Sequence, residues 1–288
     1  MKEKLKKVGN LLFICLVLVT AGILFQNQDA QAATKIGSYK VSDSKPTKKY
    51  DVTGDGKADK IEIKKLNKTK SGVFNYYHGY KILVNGKTVL NNTTADYFCL
   101  DVFFIKTKKY NYFKITEWYE DKVSATTDII YKYSGKRLKK CVDLRNMEKK
   151  YEGWVFKYNI SSVKSDSIKI KTDGQTGMLG STNSSFELKV GKNGKLTLAK
   201  KVTGISCKIW SNDHYITPKY LTTTKKIQVY KNEGTTKKAF SIKKGSKVKI
   251  TKVSIRKKKP TYYCVTKSGK KGWIKSGFQL FENLAYAQ

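Results

Sequence analysis

The chain of 288 residues is poor in the groups on which catalysis usually rests. It has two histidines, His78 and His214, and neither stands in an HExxH or a Cys/His arrangement. Gly-x-Ser-x-Gly is absent too, so the familiar metallopeptidase, thiol-protease and serine-hydrolase signatures are missing. No pair of cysteines has CxxC spacing, which removes zinc ribbons and thioredoxin-type redox motifs. Arginine is scarce as well: Arg137, Arg145 and Arg256 are the only three among 59 basic residues. Lysine is a hydrated point charge, whereas the planar fork of arginine serves specific phosphate and base recognition. A formal charge of +37 carried by lysine therefore predicts diffuse attraction to a polyanion rather than sequence reading. Proline is rare (Pro46, Pro218, Pro260) and helical periodicity is hard to find.

The amino terminus reads as an export signal over residues 1–32. Lys2, Lys4, Lys6 and Lys7 form a positive region, residues 11–19 are an unbroken apolar run, and Ala30-Gln31-Ala32 supplies the small-x-small cleavage pattern. The apolar stretch ends near Phe25, short of the roughly 20 residues a spanning helix needs. Bulky Phe13 and Ile14 before Cys15 do not suit a lipoprotein signal. A secreted or cell-wall-associated protein is expected, with no nucleic-acid partner and no stable membrane insertion once the signal is cut. Cys99, Cys141, Cys207 and Cys264 remain, scattered and mostly within alternating apolar sequence, which favours buried thiols over bridges.

The mature chain reads as all-β. Short β-branched and aromatic runs recur at 59–65, 76–84, 97–105, 110–118, 127–133, 154–160, 167–171, 186–190, 195–198, 248–253 and 262–266. Gly-Lys turns at Gly86, Gly135 and Gly194 follow strands at intervals of 49 and 59 residues, near a propeller-blade period. Asn85-Gly86 and Asn193-Gly194 are equally strong ordinary hairpin signals. The central domain, 34–210, is thus expected as propeller-like blades or as an irregular sandwich. A polar, turn-rich joint over 211–224 precedes a segment with a different charge balance. From Thr222 to Gln288 there are 18 basic residues against two acidic ones, Glu233 and Glu282.

Within 225–284, Ile227-Gln228-Val229-Tyr230, Phe240-Ser241-Ile242 with a turn at Gly245, the alternating run from Val248, Tyr262-Tyr263-Cys264-Val265-Thr266 and the closing Gly272-Trp273-Ile274 follow one another in a distinctive order. This segment resembles the bacterial SH3-like domain. The resemblance implies a small barrel and, in exported proteins of thick-walled bacteria, binding to peptidoglycan or its attached polymers. Arg256, Lys257, Lys258 and Lys259 form a basic loop, and Tyr230, Tyr262, Tyr263, Trp273 and Phe278 offer aromatic faces; the basic loop with Tyr230, Tyr262 and Trp273 gives the expected ligand contacts. Excess positive charge alone also predicts salt-sensitive attraction to teichoic acid.

Two acidic features compete for attention. Asp51, Thr53, Asp55, Lys57 (through its carbonyl), Asp59 and Glu62 follow the odd-numbered spacing of a calcium loop, with Gly56 at the bend. The segment 51–62 resembles EF-hand loops, and more closely the calcium loops that precede strands in integrin-type repeats; a structural calcium ion is the implied cofactor. An Asp-Gly turn whose carboxylates cap its own backbone has the same sequence. Glu117, Glu120 and Asp121 beside Trp118 are the one cluster suggestive of a glycosidase pair. The leading expectation is a non-enzymatic wall-binding protein whose central domain has an unknown ligand. The rivals are a wall hydrolase with a carboxylate site in the central domain and a non-specific polyanion binder.

Overall fold

Alternation of side chains builds the strands: along Asp59–Lys65, Asp59, Ile61 and Ile63 are buried while Lys60 and Lys64 face water. The computed structural model describes residues 35–119, 125–147, 153–200, 202–211, 214–255 and 259–285. The expected signal, Glu120, Asp121, Arg256, Lys257 and Lys258 lie outside the described residues. The strands are β1 (Gly37–Val41), β2 (Thr47–Tyr50), β3 (Asp59–Lys65), β4 (Lys68–Ser71), β5 (Phe74–Val84), β6 (Lys87–Tyr97), β7 (Cys99–Lys106) and β8 (Asn111–Trp118). There follow β9 (Ala125–Tyr133), β10 (Leu138–Asp143), β11 (Gly153–Val163), β12 (Ser167–Thr176), β13 (Gly180–Val190), β14 (Leu196–Leu198), β15 (Val202–Cys207) and β16 (Ile209–Ser211). The last are β17 (His214–Ile216), β18 (Leu221–Thr222), β19 (Ile227–Tyr230), β20 (Lys238–Ile242), β21 (Lys247–Ser254), β22 (Thr261–Thr266) and β23 (Lys271–Lys275). Apart from short 3-10 turns at Arg145–Met147 and Lys192–Gly194, the described residues contain no helix.

The all-β class is as expected, and every strand pair is antiparallel. Sheet β1-β7-β8-β9-β10 packs on the sheet β2-β3-β5-β4, which β6 joins through β5. Their shared core holds Val102, Phe104, Phe113 and Ile115 from one side and Ile61, Tyr80, Ile82 and Tyr97 from the other. The central region is thus a sandwich at its amino-terminal end, and the propeller alternative is corrected. Asn85-Gly86 and Asn193-Gly194 do make tight turns, with positive φ at all four residues, but their hairpins belong to different sheets.

The far face of the first sheet contributes Ile105, Tyr112, Ile130 and Leu144 to a second core beneath an 11-stranded sheet. That sheet runs β11-β12-β13-β15-β21-β22-β23-β19-β20, with β14 on β13 and β18 on β21. It therefore crosses the expected joint: Val202, Thr203 and Gly204 of β15 pair with Ser254, Val253 and Lys252 of β21. The small barrel expected over 225–284 does not close. Closure needs β20 to reach the outer edge of β21, and that edge is held by β15 at one end and by Leu221–Thr222 of β18 at the other. Buried Thr223 locks this arrangement: its N–H donates to Ser246 O, its hydroxyl to Lys243 O, and it accepts from the N–H groups of Gly245 and Ser246.

Between the two cores lies a buried ion pair. Lys114 Nζ donates to Asp128 Oδ2 at 2.8 Å and to Thr116 Oγ1 at 2.6 Å, both lysine and aspartate being almost fully enclosed. Removing one partner of such a pair strands a charge in a medium that cannot solvate it. Asp128→Ala is expected to cost about 3–5 kcal/mol in urea unfolding. Burial pushes the Asp128 carboxyl up to about 6 in spite of the Lys114 ammonium that lowers it. A carboxyl raised above its unfolded value of about 3.9 is at its most destabilising above the folded pKa, and that cost is relieved as pH falls through the window. Wild type should therefore gain on Asp128→Asn between neutral pH and about pH 4. A stability difference that stays flat over that range would count against this account.

Candidate functional site

The outer face of the carboxy-terminal strands carries a continuous row of aromatic and basic side chains. Strand alternation sends Tyr262, Cys264, Ile274, Ile227 and Val229 into the core, and so turns Tyr263, Trp273 and Tyr230 the other way. Register then lines these up: Lys252 pairs with Tyr263, Tyr263 with Trp273, Trp273 with Tyr230, and Tyr230 with Lys238. Four strands thus present Lys-Tyr-Trp-Tyr in one line, roughly 14 Å long at the usual strand spacing, and Lys238 follows across a β-bulge. Tyr263 and Trp273 meet edge to face at 5.2 Å. Lys252 Nζ lies 5.3 Å from the Tyr263 ring centre, and Lys275 Nζ lies 5.3 Å from that of Tyr230. All three rings are half-buried, each with part of its surface in contact with water.

Gly272 makes the row contiguous. A Cβ there would stand 2.5 Å from Val229 Cγ1 and 2.6 Å from Tyr230 O, so only glycine lets β23 come this close to β19. The Gly-Trp pair has a physical reason: the glycine brings the strands together, and the tryptophan beside it lands against Tyr230.

Of the expected contacts, Tyr230 and Trp273 belong to this row and Lys259 is exposed. Tyr262 has no exposed surface and packs in the core, which corrects its expected role as a ligand face. Lys252 and Lys275 are the residues that sequence reasoning left out of the site, while Tyr263 was expected only as one of several aromatic faces. The signal was parity: Cys264, expected as a buried thiol, shares a face with Tyr262 and leaves Tyr263 outside. Cys141, Cys207 and Cys264 are free thiols, and burial pushes those of Cys207 and Cys264 up to about 11.

The loop 51–59 is closed by protein donors. Asp59 Oδ2 accepts from the N–H groups of Val52 (2.7 Å) and Thr53 (2.8 Å), and from the Thr53 hydroxyl at 3.1 Å. Asn85 Nδ2 donates to Asp59 Oδ1. Asp51 Oδ1 accepts from Gly54 N–H at 2.6 Å, and its other oxygen lies 3.8 Å from Lys106 Nζ. Asp55 caps Lys57 N–H on the exposed side, while Glu62 sits on β3 between Lys60 and Lys64. The six expected ligands do not surround a common point, and among the described residues no three acidic, histidine or cysteine side chains stand close enough to hold a metal ion. The arrangement is that of the self-capping turn.

The acidic residues of the first sheet are also separated. Glu117 pairs in register with Leu100, and Asp101 with Thr116, so the two carboxylates lie on opposite faces. Glu117 is enclosed and accepts from Tyr80 Oη at 2.9 Å and Asn92 Nδ2 at 3.1 Å. Asp101 lines a cleft of about 210 Å³ with Lys40, Lys114, Trp118 and Lys157, where Trp118 Nε1 donates to it at 3.0 Å and Lys40 pairs with it at 3.2 Å. No second carboxylate lines that cleft.

Comparison with known proteins gives no relative: no family model matches the chain, and neither do curated proteins or solved structures.

Removing the carboxylate of Asp59 leaves two backbone N–H groups, the Thr53 hydroxyl and the Asn85 amide without their acceptor. Asp59→Ala is expected to destabilise by about 2–4 kcal/mol, since each bond to a charged acceptor is worth about 1.5–3 kcal/mol before relaxation. The loss should be equal in chelator and in excess calcium, measured by thermal unfolding. A wild-type midpoint that rises with calcium, through Asp59, would restore the calcium loop.

Proposed function

We propose that this is a secreted, non-enzymatic binding protein that attaches to the anionic cell wall through its carboxy-terminal SH3-like segment, with peptidoglycan or teichoic acid as the partner. The observation that carries the reading is the Lys252–Tyr263–Trp273–Tyr230 row, with Lys275 over the last ring. Aromatic faces suit the apolar sides of sugar rings, and ammonium groups suit phosphate or carboxylate. In the free protein Lys252 and Lys275 rest over the tyrosine rings, contacts worth about 0.5–1 kcal/mol each at exposed sites. A polymer that offers both an anion and a ring exchanges them for charge-assisted bonds and stacking. The basic run Arg256-Lys257-Lys258-Lys259 adds long-range attraction, which falls with salt.

The rival reading, a non-specific polyanion binder, is favoured by the excess of 18 basic over two acidic residues beyond Thr222. The two readings separate on the rings. Because β15 pairs with β21, the whole mature chain is the right material. Wild type and Tyr263→Leu/Trp273→Leu would be co-sedimented with wall sacculi, with and without teichoic acid, at low and high salt. Loss of about tenfold or more in affinity for the variant, persisting at high salt, is expected for ring recognition. If the variant binds as wild type and both release at high salt, the lysine field alone is responsible. If wild type never sediments, the wall reading fails.

A further inference from the structure

Five large hydrophobic side chains are exposed among the described residues, and three of them converge at one end of the amino-terminal sandwich: Val73 at 85%, Phe74 at 51% and Tyr119 at 48%. They are joined through two further rings, Phe74 to Phe98 at 5.3 Å, Phe98 to Tyr76 at 6.0 Å, and Tyr76 to Tyr119 at 5.7 Å. Val73 and Phe74 form the tip of the β4–β5 hairpin, turning at Gly72. Every residue of β4 is exposed, although its side chains alternate between two faces, so the hairpin end stands clear of the protein. Ser71 and Thr69 share the ring side, while Lys68 and Lys70 pair with Tyr77 and Asn75 and point to the other. Asp96 pairs with His78 one residue pair further along β5 and is met by His78 Nδ1 at 3.3 Å.

The apex is convex and apolar, with ammonium groups set one strand back. A shaped protein pocket or a flat glycan gives a protruding valine little to fit against, and a contiguous apolar patch on a soluble protein marks an interaction surface. A fluid interface conforms to such an apex. Tyrosine and phenylalanine settle at headgroup level, and lysine stems reach from apolar surface to lipid phosphate. Among the described residues no helix is long and apolar enough to cross a membrane, so contact through this apex is peripheral.

We propose that the β4–β5 hairpin end docks on an anionic bilayer, with Val73 and Phe74 among the headgroups and Lys68 and Lys70 paired with lipid phosphate. The inference does not rest on the wall reading, because the two surfaces share no residue. The test is co-sedimentation of the mature chain with vesicles of phosphatidylglycerol and phosphatidylcholine, and with phosphatidylcholine alone, at moderate and high salt. Binding to the anionic vesicles is expected, reduced roughly tenfold or more by Val73→Ser/Phe74→Ser and unchanged by Tyr263→Leu/Trp273→Leu. Phe74→Trp should show a blue-shifted emission on the same vesicles. No binding by wild type would overturn the proposal. So would binding indifferent to the tip variant, which marks adsorption of the lysine field. A wild-type dimer in sedimentation that the tip variant abolishes would assign the apex to self-association instead.

Discussion

The outer edge of β21 constrains everything that follows Thr222. A strand edge exposes unpaired N–H and C=O groups that must find partners. The nearest candidate in sequence is β20, one tight turn away, and pairing with it would have closed a small barrel. Instead β18 takes one end of that edge and β15 the other, while Thr223, just after β18, holds the β20–β21 turn with four hydrogen bonds to Lys243, Gly245 and Ser246. The result is a sheet that stays open and passes without interruption from the central region into the basic segment. Its inner face buries Ile227, Val229, Ile250, Tyr262, Cys264 and Ile274 in one core with Ile168, Phe186 and Leu188. With the inner face committed, the aromatic side chains of opposite parity have only the outer face left to occupy. The row at Trp273 is a consequence of how that one edge is shared.

The first sheet shows the same economy of faces. One side of β7 and β8 carries Val102, Phe104, Phe113 and Ile115, with the enclosed Glu117 held by Tyr80 and Asn92 towards one end, and closes the amino-terminal sandwich. The other changes character along its length, from Ile105 and Tyr112, which pack into the second core, to Lys114, Thr116, Asp101 and Trp118, which form a polar layer. Tyr112 Oη donates to Gly194 O at 3.0 Å, so the Asn193-Gly194 turn of the large sheet is tied to the small one. Burying Lys114 and Asp128 adds little net stability, because desolvation consumes most of the attraction. The pair specifies which part of the face meets β11 and which part stays open as a cleft.

Much of this was legible in the sequence. The bounds of β3 match the alternating run 59–65, the Asn-Gly turns lie where their dipeptides place them, and Cys264 is buried as its apolar neighbours imply, whereas Cys99 and Cys141, in similar sequence, are half-buried. The errors share one cause: they concern partners far apart in the chain. Whether Asp59 faces an ion or its own loop depends on Asn85, which arrives from the next hairpin. Whether β20 closes a barrel depends on β15 and β18, outside the segment that resembles one. Tyr262 and Tyr263 are adjacent and chemically alike, so only a fixed register tells them apart, and a shift of one residue would exchange their faces. The value of Gly272 depends on the backbone of Tyr230 and is invisible until the strands are paired.

Lysine in place of arginine gives the two exposed surfaces a common chemistry and different shapes. An arginine stacked on Tyr263 would hold its ring by a planar face and release it reluctantly. Lys252 makes a looser contact through a flexible stem, so an incoming anion can draw the ammonium away and expose the ring in the same step. At the β4–β5 hairpin the lysines stand off the aromatic rings altogether, on the opposite side of the strand, and the apolar apex is bare before any partner arrives. The row on β19–β23 follows the sheet and so matches an extended chain lying along it. The hairpin end protrudes and matches a surface that yields. On the proposed readings, net charge would bring both toward anionic material, and local shape would decide which kind each holds.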